Sequence, residues 1–250
     1  MRIISLVLML ILTVAGKAQQ HTSPDNNRNI VSVNLTGLVV KNIGMQYEHI
    51  LNRKSSLGLS VRFMPVTSLP FKNIARRIVA EEDPNIRETI EQVEIGNLAI
   101  TPEYRLYLGK GYGKGFYLGP FYRYAHFKTN NVIITYDSDI FGNEEEVILS
   151  GDLNSHTFGI IVGAQWSLGK NFFLNWNIAG PHIGSGVGDL DGFSTRPLSP
   201  GDQQRVRQEL EKLDIPFTRK NITVRENGAS MKLNGPWGGV RFGLSVGIGF

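Results

Sequence analysis

The chain of 250 residues contains no cysteine, which excludes both a disulfide framework and a lipid-modified N-terminal cysteine. It also lacks any run of 18 consecutive apolar residues, so the sequence predicts no transmembrane helix. Charge of one sign is only slightly in excess, because the formal net charge is +4 and the charged residues are scattered. These absences exclude a basic patch for nucleic acid, and we expect no nucleic-acid partner.

The N-terminus has the pattern of an export signal. Arg2 precedes 12 apolar residues, Ile3 to Val14, and Gly16-Lys17-Ala18 provides small residues for cleavage. The apolar stretch is shorter than the roughly 20 residues that a spanning helix needs, although a membrane anchor is the alternative interpretation. We expect a signal peptide over 1–18, an N-terminal periplasmic segment over 19–29 and a single domain over 30–250.

Glycine is abundant, at 28 residues, and apolar residues alternate with small or polar ones in many places. In "GGVRFGLSVGIGF", the last 13 residues, every even position from Val240 to Phe250 is bulky and apolar, while the odd positions are small or polar. This alternation has the period of a β-strand. Repeats of the pattern predict eight strands, at about 30–39, 43–51, 57–64, 97–108, 115–127, 154–168, 172–182 and 238–250.

The connections between these strands alternate in length after the first pair. Short connections are predicted at 52–56, 109–114 and 169–171, and long ones at 65–96, 128–153 and 183–237. In an up-and-down sheet, all the long connections then lie at one end. This arrangement is typical of outer-membrane barrels, which have short periplasmic turns and long outer loops. A soluble lipocalin-like barrel with the opposite facing is the alternative.

The two faces of the predicted strands indicate which environment each side meets. An eight-stranded barrel is only just wide enough to be filled by side chains, which suits small and charged residues inside and bulky residues towards lipid. Because unpaired buried charges are costly, we expect a network that plugs the lumen, with a gated path for a solute as the alternative. The charged residues expected inside are Glu48, Arg62, Glu103, Arg105, Arg123 and Arg241.

The exported N-terminus, the eight alternating strands and the ending "GLSVGIGF" resemble the small OmpA/OmpX-type outer-membrane barrels. The stretch "NLTGLVVKNIGMQYEHIL" is similar to a set of uncharacterised barrels of Bacteroidota. The resemblance implies a location in the outer membrane, contact with its lipid and lipopolysaccharide, and insertion by the barrel-insertion machinery. The residues that it implies as the insertion signal are Leu244, Val246, Ile248 and Phe250.

The long connections are expected to hold the function, since barrels present loops rigidly at one rim. In "SPGDQQRVRQELEKLDIP", Ser199 and Pro200 are suited to begin a helix. An apolar stripe formed by Val206, Leu210 and Leu213 either folds over the barrel mouth or docks a protein or glycan partner. Segment 65–96 has helical spacing at Ile74, Ile78, Ile86, Ile90 and Val93.

Motifs for catalysis or metal binding are weak. His126 has no serine two residues later, and His156 and Ser155 are adjacent and therefore point to opposite faces of a strand. A composite site from different strands stays open as an alternative. An acidic cluster in 128–153 lacks the spacing of a calcium loop and predicts a solvated acidic loop rather than a calcium site: Asp137, Asp139, Glu144, Glu145 and Glu146.

We therefore predict an all-β protein: a monomeric, eight-stranded, antiparallel, up-and-down transmembrane β-barrel in the outer membrane. Its expected function is that of a structural or interaction scaffold acting through the outer loops, with no catalytic residues, no metal and no cofactor. The alternatives are a lipid-modifying hydrolase or transferase at the outer leaflet and the transport of a small solute.

Overall fold

The computed structural model describes residues 27–70, 72, 90–109, 111–138, 142–213 and 218–250. Strands dominate this part of the chain, and the protein is all-β. The elements in chain order are β1 (Asn29–Asn34), α1 (Leu35–Val39), β2 (Ile43–Ile50), β3 (Ser55–Ser68), β4 (Glu94–Tyr107), β5 (Gly115–Asp137), β6 (Glu144–Ser167), β7 (Phe172–Ser194), α2 (Pro200–Lys212), β8 (Arg219–Arg225) and β9 (Gly228–Gly249).

The strands form one antiparallel sheet of nine that closes on itself. The order is β1-β2-β3-β4-β5-β6-β7-β9-β8, and β1 also pairs with β9, so that eight strands complete a ring. The ninth strand, β8, pairs with one end of β9 and lies outside this ring. The prediction of eight strands is therefore corrected to nine, because β8 lies within 183–237, which the sequence presented as a loop.

The two ends of the ring differ. At one end, residues 51–54, 108–114 and 168–171 join neighbouring strands. At the other end lie α1 and the long extensions of β5, β6, β7 and β9. Asparagine and glycine make the short turns possible: the Asn52 side-chain oxygen accepts hydrogen bonds from two backbone N–H groups, and Gly111 and Gly113 adopt positive φ.

Four strands extend beyond the ring and form a second layer, which we call the lobe. The lobe consists of 129–137 of β5, 144–153 of β6, 185–194 of β7, 228–234 of β9, with β8 and α2. Much of the predicted loops 128–153 and 183–237 is therefore paired strand. The sequence reading missed these strands because their apolar alternation is short and is interrupted by polar residues and glycines.

The lobe has an apolar core of its own, separate from the interior of the ring. The buried side chains are Ile134, Tyr136, Val147, Leu149, Leu198, Val206, Leu210 and Ala229. Burial, together with the Asp202 carboxylate, raises the pKa of Tyr136. The core lies between the extended strands and α2, which contacts both β5 and β8. The helix therefore covers the opening between the two edges of the extended sheet.

Helix α2 begins where the sequence predicts and is fixed at both ends. The Ser199 hydroxyl accepts from the backbone N–H of Asp202 at 3.0 Å, and the Asp202 carboxylate accepts from the backbone N–H of Ser199. At the other end, the Lys220 ammonium donates to the carbonyl oxygens of Glu211 and Leu213, both at 2.7 Å. Arg207 donates to the Ile222 carbonyl oxygen on β8 at 3.1 Å, which ties the helix to that edge strand.

The apolar stripe of α2 faces inward. Val206 and Leu210 are fully buried in the lobe core, and Leu213 packs against it. The prediction that this stripe docks a partner is therefore corrected. Its side chains stabilise the lobe and are covered by β5, β6 and β8.

Several predictions fall outside the described residues: the signal peptide over 1–18, most of the segment 19–29, and the helical spacing at Ile74, Ile78 and Ile86. In the part of the chain that the structure describes, no helix is both long enough and apolar enough to span a membrane.

Candidate functional site

Strand β6 shows that polarity reverses on both faces between the lobe and the ring. Its odd positions face inward: Val147 and Leu149 are buried in the lobe, whereas Ser155, Thr157 and Gln165 are buried in the ring. Its even positions face outward. They are polar at Asp152, Asn154 and His156 and apolar at Phe158, Ile160, Val162 and Trp166. Thus β6 is apolar inside and mostly polar outside in the lobe, where Ile148 is an exposed apolar exception. In the ring it is mostly polar inside and apolar outside, with Ile161 as a buried apolar exception.

The other ring strands share this distribution. Large apolar side chains are exposed on the outer surface of the ring, and Phe158 and Ile160 are 67% and 58% exposed. Further exposed residues of this outer band are Leu57, Leu59, Val61, Phe63, Leu98, Ile100, Leu106, Phe116, Leu118, Phe172, Trp176, Val240, Phe242 and Val246. So large a continuous apolar surface is unusual for a soluble monomer and indicates an apolar environment or a partner.

Aromatic and polar side chains meet on the outer surface where the polarity changes. The Tyr122 hydroxyl lies 2.5 Å from Nδ1 of His156, and the Tyr124 hydroxyl donates to the Asn154 side-chain oxygen at 2.8 Å. His126 lies 3.0 Å from the same oxygen. Tyr and Trp side chains concentrate at such boundaries because one end is apolar and the other is polar.

The histidines proposed for a composite catalytic site lie in this boundary cluster. Nε2 of His126 is 3.4 Å from the Asp152 carboxylate. Among their hydrogen bonds, neither His126 nor His156 has a serine or threonine hydroxyl as partner. Ser155 points inward, and its hydroxyl donates to the Ala125 carbonyl oxygen at 3.3 Å. The geometry therefore provides a histidine–carboxylate pair without an activated hydroxyl nucleophile beside it.

Glu48 is the first centre of the polar interior of the ring. Its Oε1 accepts hydrogen bonds from the Ser56 and Tyr107 hydroxyls, both at 2.5 Å. Its Oε2 accepts from Arg105 at 2.9 Å and from the Gln165 amide at 3.0 Å. Glu48 is 2% exposed. Because both carboxylate oxygens are fully used, the buried charge is compensated.

Glu103 is the second centre and links two arginines. Its Oε1 accepts from Nε of Arg105 at 2.7 Å and from Gln46 at 3.0 Å, and its Oε2 accepts from Arg241 at 3.1 Å. Gly58 lies beside it in the register of β3 and β4. A Cβ atom at Gly58 would lie 2.8 Å from Cγ of Glu103, so the absence of a side chain there makes room for the carboxylate.

Aromatic rings complete the interior. The Arg105 guanidinium lies 4.4 Å from the centre of the Tyr117 ring, and the Arg241 guanidinium lies 4.6 Å from that of Phe121. The Tyr117 hydroxyl is 2.6 Å from the Asn177 side-chain oxygen. These large, hydrogen-bonded side chains fill the ring at the level of the ion pairs.

The structure joins four of the six predicted interior charges in one ion-pair network: Glu48, Arg105, Glu103 and Arg241. Arg62 and Arg123 lie on inward positions of β3 and β5, but no carboxylate among the described residues pairs with them. The sequence reading missed the uncharged members of the network, Tyr107, Tyr117 and Gln165. The available signal was that each shares a strand face with inward small or charged residues, but only charged residues were predicted as members of the network.

The residues that the resemblance implied as an insertion signal lie at the end of β9. Leu244, Val246 and Ile248 occupy outward positions, and Val246 and Ile248 pair with Val33 and Val31 of β1. The backbone N–H of Phe250 donates to the Asn29 carbonyl oxygen at 2.8 Å. These residues therefore belong to the seam where β9 meets β1 and closes the ring.

The acidic residues of 128–153 are placed on the lobe. Asp137 and Glu144 are cross-strand partners on β5 and β6, and Glu145 pairs with Arg196 at 3.2 Å. Asp139 lies outside the described residues. Among the residues that are described, no three His, Asp or Glu side chains are grouped closely enough to hold a metal ion.

The chain can be compared with known families once this architecture is established. A family model described as a protein of unknown function (DUF3575) matches residues 3–186. The chain belongs to this family. The DUF3575 match includes β1 to β6 and most of β7, and so contains Glu48, Glu103 and Arg105. It ends before α2, β8 and β9, which supply the helix of the lobe and Arg241. No curated protein matches the chain.

Proposed function

We propose that this protein is an outer-membrane β-barrel with a sealed lumen, which anchors the lobe as a scaffold for interactions at the cell surface. The observation that supports this most directly is the reversal of polarity along β6. Lipid requires an apolar outer surface and a closed sheet without unpaired backbone groups, and the ring provides both. Water favours a mostly polar outer surface over an apolar core, and the lobe has such a core, with Ile148, Val187 and Phe193 as exposed apolar residues on its outer face.

The height of the apolar band matches a bilayer. On β6, the outward residues change from His156 to Phe158 at one boundary and reach Trp166 at the other. This interval is about 10 residues, in the range of about 9–11 that a tilted β-strand needs to cross the hydrocarbon core. The boundary cluster of Tyr122, Tyr124 and His156 then lies at the level of the lipid headgroups.

The interior network supports the proposal of a sealed lumen. Eight strands leave space for little more than side chains. Here that space holds two glutamates, their arginine partners and the aromatic rings of Tyr107, Tyr117 and Phe121. The contacts join strands that are not neighbours: Arg105 on β4 reaches Glu48 on β2 past β3, and Arg241 on β9 reaches Glu103 on β4 across the ring. We expect no stable conductance steps in a planar bilayer; steps of constant size would contradict the sealed lumen.

The lobe supplies the surface on which a scaffold would act. It is built as a stable platform, because α2 covers the edge strand β8 and the core is apolar. Ile148 and Phe193 are direct cross-strand partners on the outer face of β6 and β7, and both are exposed, Phe193 at 80%. Asp189 and Asp191 lie nearby on β7. This apolar pair with acidic neighbours replaces the α2 stripe as the surface for a protein or glycan partner.

Membrane insertion is tested by a matched pair of substitutions on β6. Ile160 lies in the apolar band and Ile148 lies on the lobe, on the same outward face of the same strand. If the band faces lipid, Ile160→Arg costs roughly 2–4 kcal/mol of stability in phospholipid vesicles, and Ile148→Arg costs about 0.5 kcal/mol or less. Equal small costs, measured from urea unfolding curves in vesicles, would contradict insertion.

The scaffold role is tested at Phe193. Full-length protein and Phe193→Ser are compared in solubilised outer membranes by cross-linking and mass spectrometry, with Leu38→Ser as an exposed control outside the lobe. The proposal expects a partner captured by the wild type and by the control but lost with Phe193→Ser. Identical captured sets for all three proteins would contradict a function for this surface.

A further inference from the structure

The interior of the ring has more positive than negative charge. Four arginines face inward, Arg62, Arg105, Arg123 and Arg241, whereas the inward carboxylates among the described residues are Glu48 and Glu103. Both oxygens of Glu48 are occupied by Ser56, Tyr107, Arg105 and Gln165. Those of Glu103 are occupied by Arg105, Gln46 and Arg241. Neither glutamate is hydrogen-bonded to Arg62 or Arg123.

Arg62 and Arg123 have no hydrogen-bond acceptor for their guanidinium groups among the described residues. Arg123 is 9% exposed. The charges of Arg62, Arg123 and Arg241 are close enough to act on one another. Two further nitrogens of the same region, Nε of Arg241 and Nδ1 of His182, are buried without a partner. Burying like charges and unpaired donors is costly unless an anion compensates them.

A small polar cavity lies between these residues. Its volume is about 20 Å³, and its lining includes Asn34, Gln46, Ser60, Arg62, Asn177 and Arg241. A cavity of this size holds one water-sized particle. It is partly open, and its lining residues lie on β1, β2, β3, β7 and β9, on the inner side of the ring.

Several of the side chains that line the cavity can donate hydrogen bonds into it. The Asn34 side-chain oxygen accepts hydrogen bonds from the Gly37 N–H at 2.6 Å and from the Thr36 hydroxyl at 2.8 Å. Its NH₂ group is therefore the part of the side chain that is available to donate. The Asn177 side-chain oxygen accepts from Tyr117 at 2.6 Å. Amide NH₂ groups and guanidinium N–H groups can only donate.

We propose that this cavity is a binding site for a small monovalent anion of the size of chloride, held by Arg62 and Arg241 with donors from Asn34, Ser60 and Asn177. Arg123 and His182 add positive potential. The anion neutralises part of the excess charge and completes the filling of the ring. This site is independent of the interaction surface on the lobe and does not require conduction.

The site is tested directly with bromide. Crystals of the full-length protein are grown in gluconate, which is too large for the cavity, and are soaked in sodium bromide for anomalous diffraction. The proposal expects a bromide peak within hydrogen-bonding distance of both Arg62 and Arg241. Peaks confined to the outer surface, representing adventitious ions only, would overturn it. This measurement uses the wild type and so does not depend on how well a variant folds.

Stability in solution gives an independent test. Unfolding in urea is followed with chloride replacing gluconate at constant ionic strength. The folding equilibrium constant is expected to rise roughly tenfold when chloride reaches about ten times its dissociation constant, with single-site saturation. Arg62→Gln should reduce this response to less than about twofold, while Arg219→Gln, an exposed arginine on β8, should retain it. The same response in both variants, or none in the wild type, would contradict the site.

Discussion

Arg105 on β4 and Glu48 on β2 form an ion pair of 2.9 Å that passes over the intervening strand β3. Gly58 of β3 stands directly opposite Glu48 in the sheet register and carries no side chain that could separate them. The pair therefore ties strands that are not neighbours in the sheet. The same principle recurs where Arg241 of β9 reaches Glu103 of β4. Strand pairing alone does not determine the shape of the ring in cross-section. Contacts between strands that are not neighbours fix this shape.

The first prediction concerns this pair. Glu48→Gln removes one charge and leaves Arg105 buried with Glu103 as its remaining carboxylate partner. Breaking a buried ion pair by removing one member typically costs about 3–5 kcal/mol. We expect a loss of this order in the free energy of unfolding, measured by urea titration in vesicles. Asp189→Asn is the control, because Asp189 pairs with Lys232 at an exposed site and should cost less than about 1 kcal/mol. Similar losses for the two variants would show that the buried pair is not a structural centre.

The second prediction concerns the room beside Glu103. Gly58→Ala would place a methyl group 2.8 Å from Cγ of a side chain whose carboxylate is held by two arginines. Because Glu103 cannot move without breaking these contacts, we expect a destabilisation of about 1–3 kcal/mol. Gly239→Ala is the matched control, since its new methyl group would lie 3.3 Å from the nearest ring atom of His182, which is only partly buried. Equal unfolding free energies for the two variants would show that Glu103 can relax.

The third prediction separates the lobe from the ring. Leu210 is fully buried in the lobe core, and Leu210→Ala should cost about 2–5 kcal/mol of the local stability of the lobe. Because the ring has a different interior, we expect faster hydrogen exchange in α2 and β8 and unchanged exchange in β2 to β4. Leu38→Ala, at an exposed position of α1, should leave both regions unchanged. Faster exchange throughout the sheet would show instead that lobe and ring unfold together.

The sequence determines the ring more clearly than the lobe. Apolar residues alternate without interruption with small or polar ones from Gly58 to Arg62 in β3 and from Val240 to Ile248 in β9. This period alone predicts which residues share a face. In β5, an extra residue opposite β6 between Thr129 and Val132 shifts the register. Before this bulge, the odd-numbered residues of β5 point inward. After it, even-numbered residues such as Ile134 and Tyr136 point inward. A strand prediction based on a constant period of two residues does not allow for this shift in register. The sequence therefore predicts a loop for this segment.

The interior network was only partly predictable for a related reason. Alternation places Glu48, Glu103 and Arg105 on the inner face, but the identity of each partner depends on the stagger of the strands around the ring. Tyr117 is inward and hydrogen-bonded to Asn177, although its residue type suggests the outer face. The helix α2 was predictable from its local capping residues, whereas the burial of its stripe depends on strands that are distant in sequence.

The fourth prediction concerns the β-bulge in β5, where this strand continues from the ring into the lobe. Asn131 has a φ of 59°, in the left-handed region that asparagine tolerates and β-branched residues avoid. Its conformation absorbs the extra residue of β5, so that Ile134 still faces Val147 across the strand pair and both lie in the lobe core. We expect Asn131→Val to destabilise the lobe by roughly 1–2 kcal/mol. Asn131→Gly should change the stability of the lobe by less than about 0.5 kcal/mol, because glycine adopts positive φ without strain.

The measurement is limited proteolysis of the lobe together with hydrogen exchange of α2. If valine and glycine behaved alike, the positive φ of Asn131 would have no energetic role; if valine alone opens the lobe, this bulge controls the entry of β5 into the apolar layer above the ring.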